Sequence, residues 1–183
     1  MNRLKSLVTS AVLIALVIGI FLGGVISSNR NSESAFSSDD LMFAQMMIPH
    51  HEQAVVMSEL ALTTSTNSEV LALATAIRDA QAPEIKLMQS WLEGSESNNH
   101  AGHDMPMSGM LDDAELAALK DAQGAEFDRL FLQGMIGHHE GALTMLEIVD
   151  NSKNAEVKKL SQEIFKSQSA EIKTMEELFA RLP

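Results

Sequence analysis

The chain has 183 residues with 13 basic and 25 acidic side chains, a net charge of -12, and it lacks cysteine. Without cysteine there can be no disulfides, thiolate metal sites or cysteine nucleophiles. The acidic balance argues against nucleic acid as a partner, because a phosphate backbone requires a basic surface. Abundant Ala, Leu, Glu, Met, Lys and Gln, with only 4 prolines, favour helices.

The first predicted element is an apolar segment. Residues 7–26 contain no charged side chain and follow Arg3 and Lys5; twenty helical residues span about 30 Å, the thickness of a bilayer's hydrocarbon core. The preceding positive charges keep residues 1–6 in the cytoplasm and direct the remainder across the membrane, to the periplasm or cell surface. No A-x-A cleavage site follows, so we expect an uncleaved anchor; the alternative is a cleaved signal segment and a secreted protein. Residues 27–37 are typical of a polar linker.

The remainder of the chain, residues 38–183, contains an internal repeat. Residues 40–62 align with residues 128–150, and residues 67–92 align with residues 154–179, with many identities in both alignments. Each copy has two helical segments joined by a short turn, so the helices are antiparallel neighbours. Two such hairpins can bury their apolar faces only against each other. The sequence therefore predicts an all-α four-helix bundle of two repeated hairpins, preceded by one transmembrane helix.

The predicted helices of this bundle follow in chain order. They cover about 38–63, about 68–92, 113–122, from Gly124 to about 150, and about 155–180. Ser38 or Asp39 can cap the first of them, and Gly124 marks the break before the fourth. Residues 93–111 form a polar, Gly- and Ser-rich loop between the two hairpins.

One face of the first long helix in each repeat carries the unusual residues. At about 100° per residue, this face contains Asp40, Phe43, Met47, His50, His51, Ala54 and Met57 in the first copy, and Asp128, Phe131, Met135, His138, His139, Ala142 and Met145 in the second. Its Phe, Met and Ala members indicate that it faces the core. A buried neutral imidazole needs partners for both nitrogens, and stranding one costs about 1–3 kcal/mol. The helix-perturbing residues Pro49 and Gly137 directly precede the histidine pairs.

The second helix of each hairpin offers polar partners at the level of the histidines. These partners are Gln81 and Glu84 in the first repeat and Gln168 and Glu171 in the second. They could orient the imidazoles from behind or bind a metal directly. A hydrogen-bonded histidine pair without metal is the structural alternative. Ligand type and spacing favour the metal site.

The methionines of this face bear on the identity of the metal. They are Met47, Met57, Met135 and Met145. A di-iron bundle uses E-x-x-H, whereas here Met47 lies three residues before His50 and Met135 three before His138. A thioether with an imidazole favours Cu(I) over iron, manganese or magnesium, with another metal possible. Methionine at helical spacing is also common core filler.

The loop at residues 93–111 concentrates further metal-binding residue types. They are His100, His103, Met105, Met107 and Met110. Short His-rich tracts are a compositional signal of metal binding. Methionines in a solvated loop have no core to fill. We therefore predict a flexible copper-capture segment, with an arbitrary linker as the alternative.

The doubled motif M-I-x-H-H-E-x-A-x-x-M, followed by Q-x-x-E-I-x-x-M, resembles the bacterial family known as domain of unknown function 305. The resemblance covers about residues 39–179. It implies a ferritin-like helical bundle in an exported or membrane-anchored protein, and some relatives are implicated in periplasmic copper binding and copper resistance. Carried over by position, the resemblance assigns metal binding to His50, His51, His138, His139, Met47, Met57, Met135 and Met145. Gly137 departs from the usual residue before the second pair.

Together these features predict an extracytoplasmic metal-binding protein that binds copper, Cu(I) in preference to Cu(II), for sequestration, resistance or transfer. One alternative is a ferritin-like, metal-dependent oxidase, although the inward face lacks E-x-x-H pairs. The other is a structural or partner-binding bundle without metal. We assign no catalytic residues, and the oligomeric state stays open.

Overall fold

The computed structural model describes residues 35–93 and 107–183, and those segments contain helices and short connections but no strand. The helices are α1 Ser38–Thr64, α2 Ser68–Glu93, α3 Asp113–Asp121, α4 Gly124–Met145 and α5 Ala155–Phe179. The all-α prediction is confirmed. Within the described segments, no helix is long and apolar enough to cross a membrane. The expected anchor at residues 7–26 lies outside them.

Helix α1 begins where the sequence predicted, but its cap lies one residue before the predicted Ser38. Its N-cap is Ser37, whose side chain accepts a hydrogen bond from the Asp40 backbone N–H at 3.1 Å. The Asp40 carboxylate in turn accepts from the Ser37 backbone N–H at 2.8 Å. This reciprocal capping box requires an acidic or amide side chain three residues after the cap. Ser37 is the cap because Asp40 lies three residues after it. The helix continues through Pro49 without interruption.

Helix α4, the first helix of the second hairpin, ends differently from its counterpart α1. The sequence predicted a helix to about residue 150, but α4 stops at Met145 and the 3-10 turn Leu146–Val149 completes it. The following turns are alike in both copies. Asn67 accepts from the Glu69 N–H at 2.9 Å, and Asn154 accepts from the Glu156 N–H at 2.9 Å. These side chains satisfy backbone donors that a helix start leaves free.

The two hairpins pack together mainly through α1 and α4. Phe43, near the start of α1, shares an apolar cluster with Met145 at the end of α4. Met57, late in α1, shares a second cluster with Phe131, early in α4. The facing helices are therefore antiparallel, which fits a pseudo-twofold axis perpendicular to them. This arrangement confirms the predicted helical bundle.

A short segment, residues 107–111, lies across α1 and α4 and is called the strap below. Gln53 of α1 holds its end, because the Gln53 amide both donates to the Leu111 carbonyl at 2.9 Å and accepts from the Leu111 N–H at 2.8 Å. Gly109 in the strap has φ 81°, which favours glycine. A Cβ at Gly109 would also overlap the carbonyl oxygen of Gly137. The strap is thus fitted closely to the surface of α4.

Candidate metal centre

Four buried histidines occupy the middle of the bundle, between the two apolar clusters. His50 and His51 come from α1 and His138 and His139 from α4, and all four are 0% exposed. The rings of His50 and His138 meet across the two hairpins, with centroids 3.8 Å apart and planes tilted by 39°. The His138 and His139 centroids are 6.2 Å apart. The duplication therefore brings one imidazole from each copy into direct contact.

Three of the four imidazoles are held through Nε2. His51 Nε2 lies 2.8 Å from Glu84 Oε2, and His139 Nε2 lies 2.7 Å from Glu171 Oε2. His50 Nε2 lies 3.1 Å from the Ser108 carbonyl oxygen. Carbonyl and ionised carboxylate oxygens only accept hydrogen bonds, so Nε2 carries the proton in each ring. The hydrogen-bond pattern thereby assigns the lone pair to Nδ1 in all three.

Among residues 35–93 and 107–183, the buried Nδ1 atom of each of the four histidines finds no hydrogen-bond partner, and in His138 the same holds for Nε2. An unpaired buried polar atom costs about 1–3 kcal/mol, so a purely structural histidine pair would be expected to satisfy these atoms. Carboxylates behind Nε2 and a free lone pair on Nδ1 are the usual arrangement of metal-ligating histidines. The donor chemistry of the four rings therefore fits a metal ion.

Two of these histidines are kept neutral. Burial lowers the pKa of His50 from 6.5 to about 3, with a further contribution from the nearby charge of His51. Burial also lowers the pKa of His138 well below its usual value, and His50 adds to the effect. An imidazole must be deprotonated to bind a metal. Neither ring needs to lose a proton at neutral pH before it can do so.

The four polar residues predicted beside the histidines divide into two kinds. Glu84 and Glu171 bond to His51 and His139 as described. Gln81 and Gln168 are each 2% exposed, but Gln81 Oε1, Gln81 Nε2 and Gln168 Oε1 have no hydrogen-bond partner. The glutamates therefore orient the imidazoles, whereas the glutamines add further buried polar atoms to the interior.

The predicted methionines lie on both sides of the histidines. Met47 and Met145 are in the apolar cluster around Phe43, and Met57 and Met135 are in the cluster around Phe131. All four are buried and contribute to those clusters as core side chains. Met107 and Met110 belong to the half-buried strap. His100, His103 and Met105 lie outside the described residues.

Over residues 35–93 and 107–183, no group of three or more His, Asp or Glu side chains is placed to hold a metal ion. The arrangement is instead a pair of touching imidazoles, one from each repeat, flanked by two carboxylate-bound imidazoles. A complete set of ligands there would need the sulfur atoms of the adjacent methionines. Thioether with imidazole is a donor set that suits Cu(I).

Sequence reasoning did not identify the residues of the strap that reach this centre. Ser108 supplies the carbonyl that accepts from His50, and Gln53 holds the strap through Leu111. One signal was available: the repeats differ at these positions, since Gln53 aligns with Gly141 and Met46 with Gly134.

The comparisons with known proteins agree with this architecture. The family model named domain of unknown function (DUF305) matches residues 40–179. The chain belongs to the DUF305 family. A putative secreted DUF305 protein from Streptomyces coelicolor is 33% identical, with a TM-score of 0.70 over 78% of this chain and 93% of that one. A DUF305 fragment from Deinococcus radiodurans is 31% identical, with a TM-score of 0.69 over 81% of this chain and 100% of that one.

A further structure similar to this DUF305 chain is that of CopM in a Cu(I)-bound form. It is 36% identical, with a TM-score of 0.67 over 77% of this chain and 95% of CopM. CopM has also been solved in Cu(II)-bound and Ag-bound forms. No curated protein sequence matches the chain. The family thus includes a member whose structure contains copper.

Proposed function

We propose that this DUF305 chain binds copper, preferentially as Cu(I), in the centre of its helical bundle. The observation that carries the proposal is the set of buried Nδ1 atoms without hydrogen-bond partners where the two hairpins meet. The copper-bound structures of the related CopM support it. The pairing of soft thioether and imidazole donors favours Cu(I) over harder cations.

The geometry favours one site shared by the two repeats over two separate sites. His50 and His138 come from different hairpins, yet their ring centroids are 3.8 Å apart. Met47 and Met135, one turn before these histidines, are the proposed sulfur donors. Glu84 and Glu171 hold His51 and His139 by Nε2 and leave their Nδ1 atoms available.

The surrounding chain suggests how this centre is used. We propose that the bundle is ferritin-like and that residues 7–26 anchor it outside the cytoplasmic membrane. If residues 7–26 are cleaved, they would instead direct its secretion. The part of the predicted loop that precedes the strap, with His100, His103 and Met105, would capture copper from solution, whereas Met107 and Met110 belong to the strap. The role is then sequestration, resistance or transfer of copper at the cell exterior.

The test is a Cu(I) affinity measurement by competition with a chromogenic chelator, on the full chain in detergent. We expect tight binding of one ion in the bundle, and its loss in a His50→Ala/His138→Ala double variant. A His100→Ala/His103→Ala variant is the matched control, because it also removes two histidines but only from the loop.

Each outcome has a distinct meaning. Loss of tight binding in the bundle variant alone supports the shared centre. Loss in the loop variant alone assigns copper to the loop and contradicts the proposed centre. A wild-type chain that takes up no copper near micromolar concentration would leave a structural bundle, or a site for another metal, as the better description.

A further inference from the structure

The strap closes one side of the proposed copper centre. The Ser108 carbonyl accepts from His50 Nε2 at 3.1 Å, and this contact joins residues 58 positions apart. Gln53 sits one turn after His50 on the same helix and pairs with both backbone groups of Leu111. In this closed arrangement His50 is 0% exposed. An ion from solvent therefore reaches the ring only if the chain around it moves, and on the Nε2 side of His50 the covering segment is the strap.

Helix α4 provides a seat for the strap. A Cβ at Gly141 would overlap the Ser108 carbonyl oxygen, and a Cβ at Gly134 would lie 3.1 Å from Leu111 Cδ1. Ser108 thus lies where only a glycine leaves room for it. A Cβ at Gly137, by contrast, would meet nothing within 4 Å.

The corresponding positions of α1 are not glycines. Met46 aligns with Gly134, and Gln53 aligns with Gly141. On α4, Gly134 and Gly141 therefore leave space for the strap. On α1, the Gln53 amide forms two hydrogen bonds that hold the strap in place. Both departures from the internal symmetry are explained by the strap, which needs space on α4 and a hydrogen-bonding side chain on α1.

We infer that the strap is a gate for the metal, and that the bonds between Gln53 and Leu111 control how often it opens. The inference rests on the proposed copper function and extends it from affinity to rate. Because His50 keeps Nε2 for Ser108 and offers Nδ1, the strap can be closed both with and without a bound ion. A gate closed in both states slows uptake and release alike and leaves the affinity unchanged.

Two variants open the strap by different routes. Gln53→Ala removes both bonds to Leu111. Gly141→Ala places a methyl group against the Ser108 carbonyl and forces that residue outward. Gln133→Ala makes the same chemical change as Gln53→Ala, but at an exposed position. Gly137→Ala makes the same change as Gly141→Ala, but where a Cβ would meet nothing within 4 Å. These two are the matched controls.

The experiment has two readouts on the full chain in detergent. Hydrogen exchange of the Leu111 amide in metal-free protein measures strap opening in wild type and in Gly141→Ala, where Gln53 still accepts from this amide; in Gln53→Ala it reports the loss of that acceptor. Stopped-flow transfer of Cu(I) to and from a chromogenic chelator measures uptake and release. We expect faster exchange in Gln53→Ala and Gly141→Ala, with uptake and release both about tenfold faster, since two hydrogen bonds are lost or strained. The equilibrium affinity and both controls should stay near wild type.

Other results would overturn the inference. Faster amide exchange with unchanged rates of Cu(I) uptake and release would contradict the gate but not the copper centre. Unchanged amide exchange in both variants would show that Gln53 and Gly141 do not hold the strap in place. A changed affinity, with uptake and release altered unequally, makes the strap part of the site's structure rather than its gate. A wild-type chain that binds no Cu(I) refutes the proposed function itself, and the exchange data then describe the strap alone.

Discussion

His138 differs from His50, His51 and His139 because neither of its ring nitrogens has a hydrogen-bond partner among the described residues. Replacing it by leucine removes both stranded atoms and keeps an apolar side chain of similar size. We expect the His138→Leu chain without metal to be as stable as wild type, or up to about 2 kcal/mol more stable, and to lose its Cu(I) affinity. Urea unfolding and chelator competition would measure the two effects. A clear loss of metal-free stability would instead favour a structural role for the ring.

Glu84 is the only hydrogen-bond partner of His51 Nε2 that the described residues provide. In a Glu84→Ala variant, that nitrogen becomes a stranded donor at a buried ring. We expect a loss of about 1–3 kcal/mol in the free energy of unfolding, and a 10- to 100-fold loss in copper affinity because the imidazole is no longer oriented. Glu171→Ala should behave alike, since Glu171 holds His139 in the same way. An unchanged affinity in both variants would show that the outer pair of histidines does not bind the ion.

At the scale of elements, the turn of the first hairpin is fastened to the second. The Ser65 hydroxyl donates to Asp128 Oδ1 at 2.6 Å, and both side chains are buried. We expect Ser65→Ala to lower the free energy of unfolding by about 1–3 kcal/mol, because the Asp128 carboxylate loses its donor. Thermal or urea unfolding would measure this.

The control for that prediction lies at the same position of the second turn. The Ser152 hydroxyl accepts from the Asn154 N–H at 3.2 Å. A Ser152→Ala variant makes the same chemical change without leaving a carboxylate unpaired, so its effect should be smaller. Equal losses in the two variants would mean that the bond between hairpins contributes little.

At the scale of the whole molecule, the buried histidines make stability depend on pH. His50 has a pKa of about 3 in the folded chain and an ordinary value of 6.5 when unfolded. Between these values the unfolded state binds the extra proton, so stability falls as pH is lowered, by about 1.4 kcal/mol per pH unit for each such histidine. Above pH 6.5 both states are neutral, and the contribution to the pH dependence vanishes.

Metal-free unfolding in urea between pH 7.5 and 4.5 would test this dependence. A His50→Leu chain should lose less stability per pH unit than wild type, because one proton fewer is taken up on unfolding. His138→Leu should act in the same direction, since the pKa of His138 is also lowered. Identical slopes in all three chains would contradict the burial of neutral imidazoles.

The sequence by itself determined the helices, apart from the end of α4, and the four buried histidines. Helix bounds follow from apolar periodicity and from caps such as Asn67 and Asn154, which act on neighbours a few positions away. The repeat made two hairpins the expected architecture. It also placed both His-His pairs on core-facing sides, which the structure confirms by their complete burial. These are local or periodic properties, and a single sequence is enough to recognise them.

Only the tertiary structure decided which hydrogen-bond partners and neighbours the imidazoles have. The choice of Glu84 over Gln81 as the partner of His51 depends on side-chain packing between two helices. The strap reaches His50 and Gln53 from 58 positions away, and no periodicity or local preference connects residues so distant. The approach of His50 to His138 likewise depends on how the hairpins pack together. Contacts between distant segments depend on the free energy of the assembled core, and therefore they are determined only once the chain is folded.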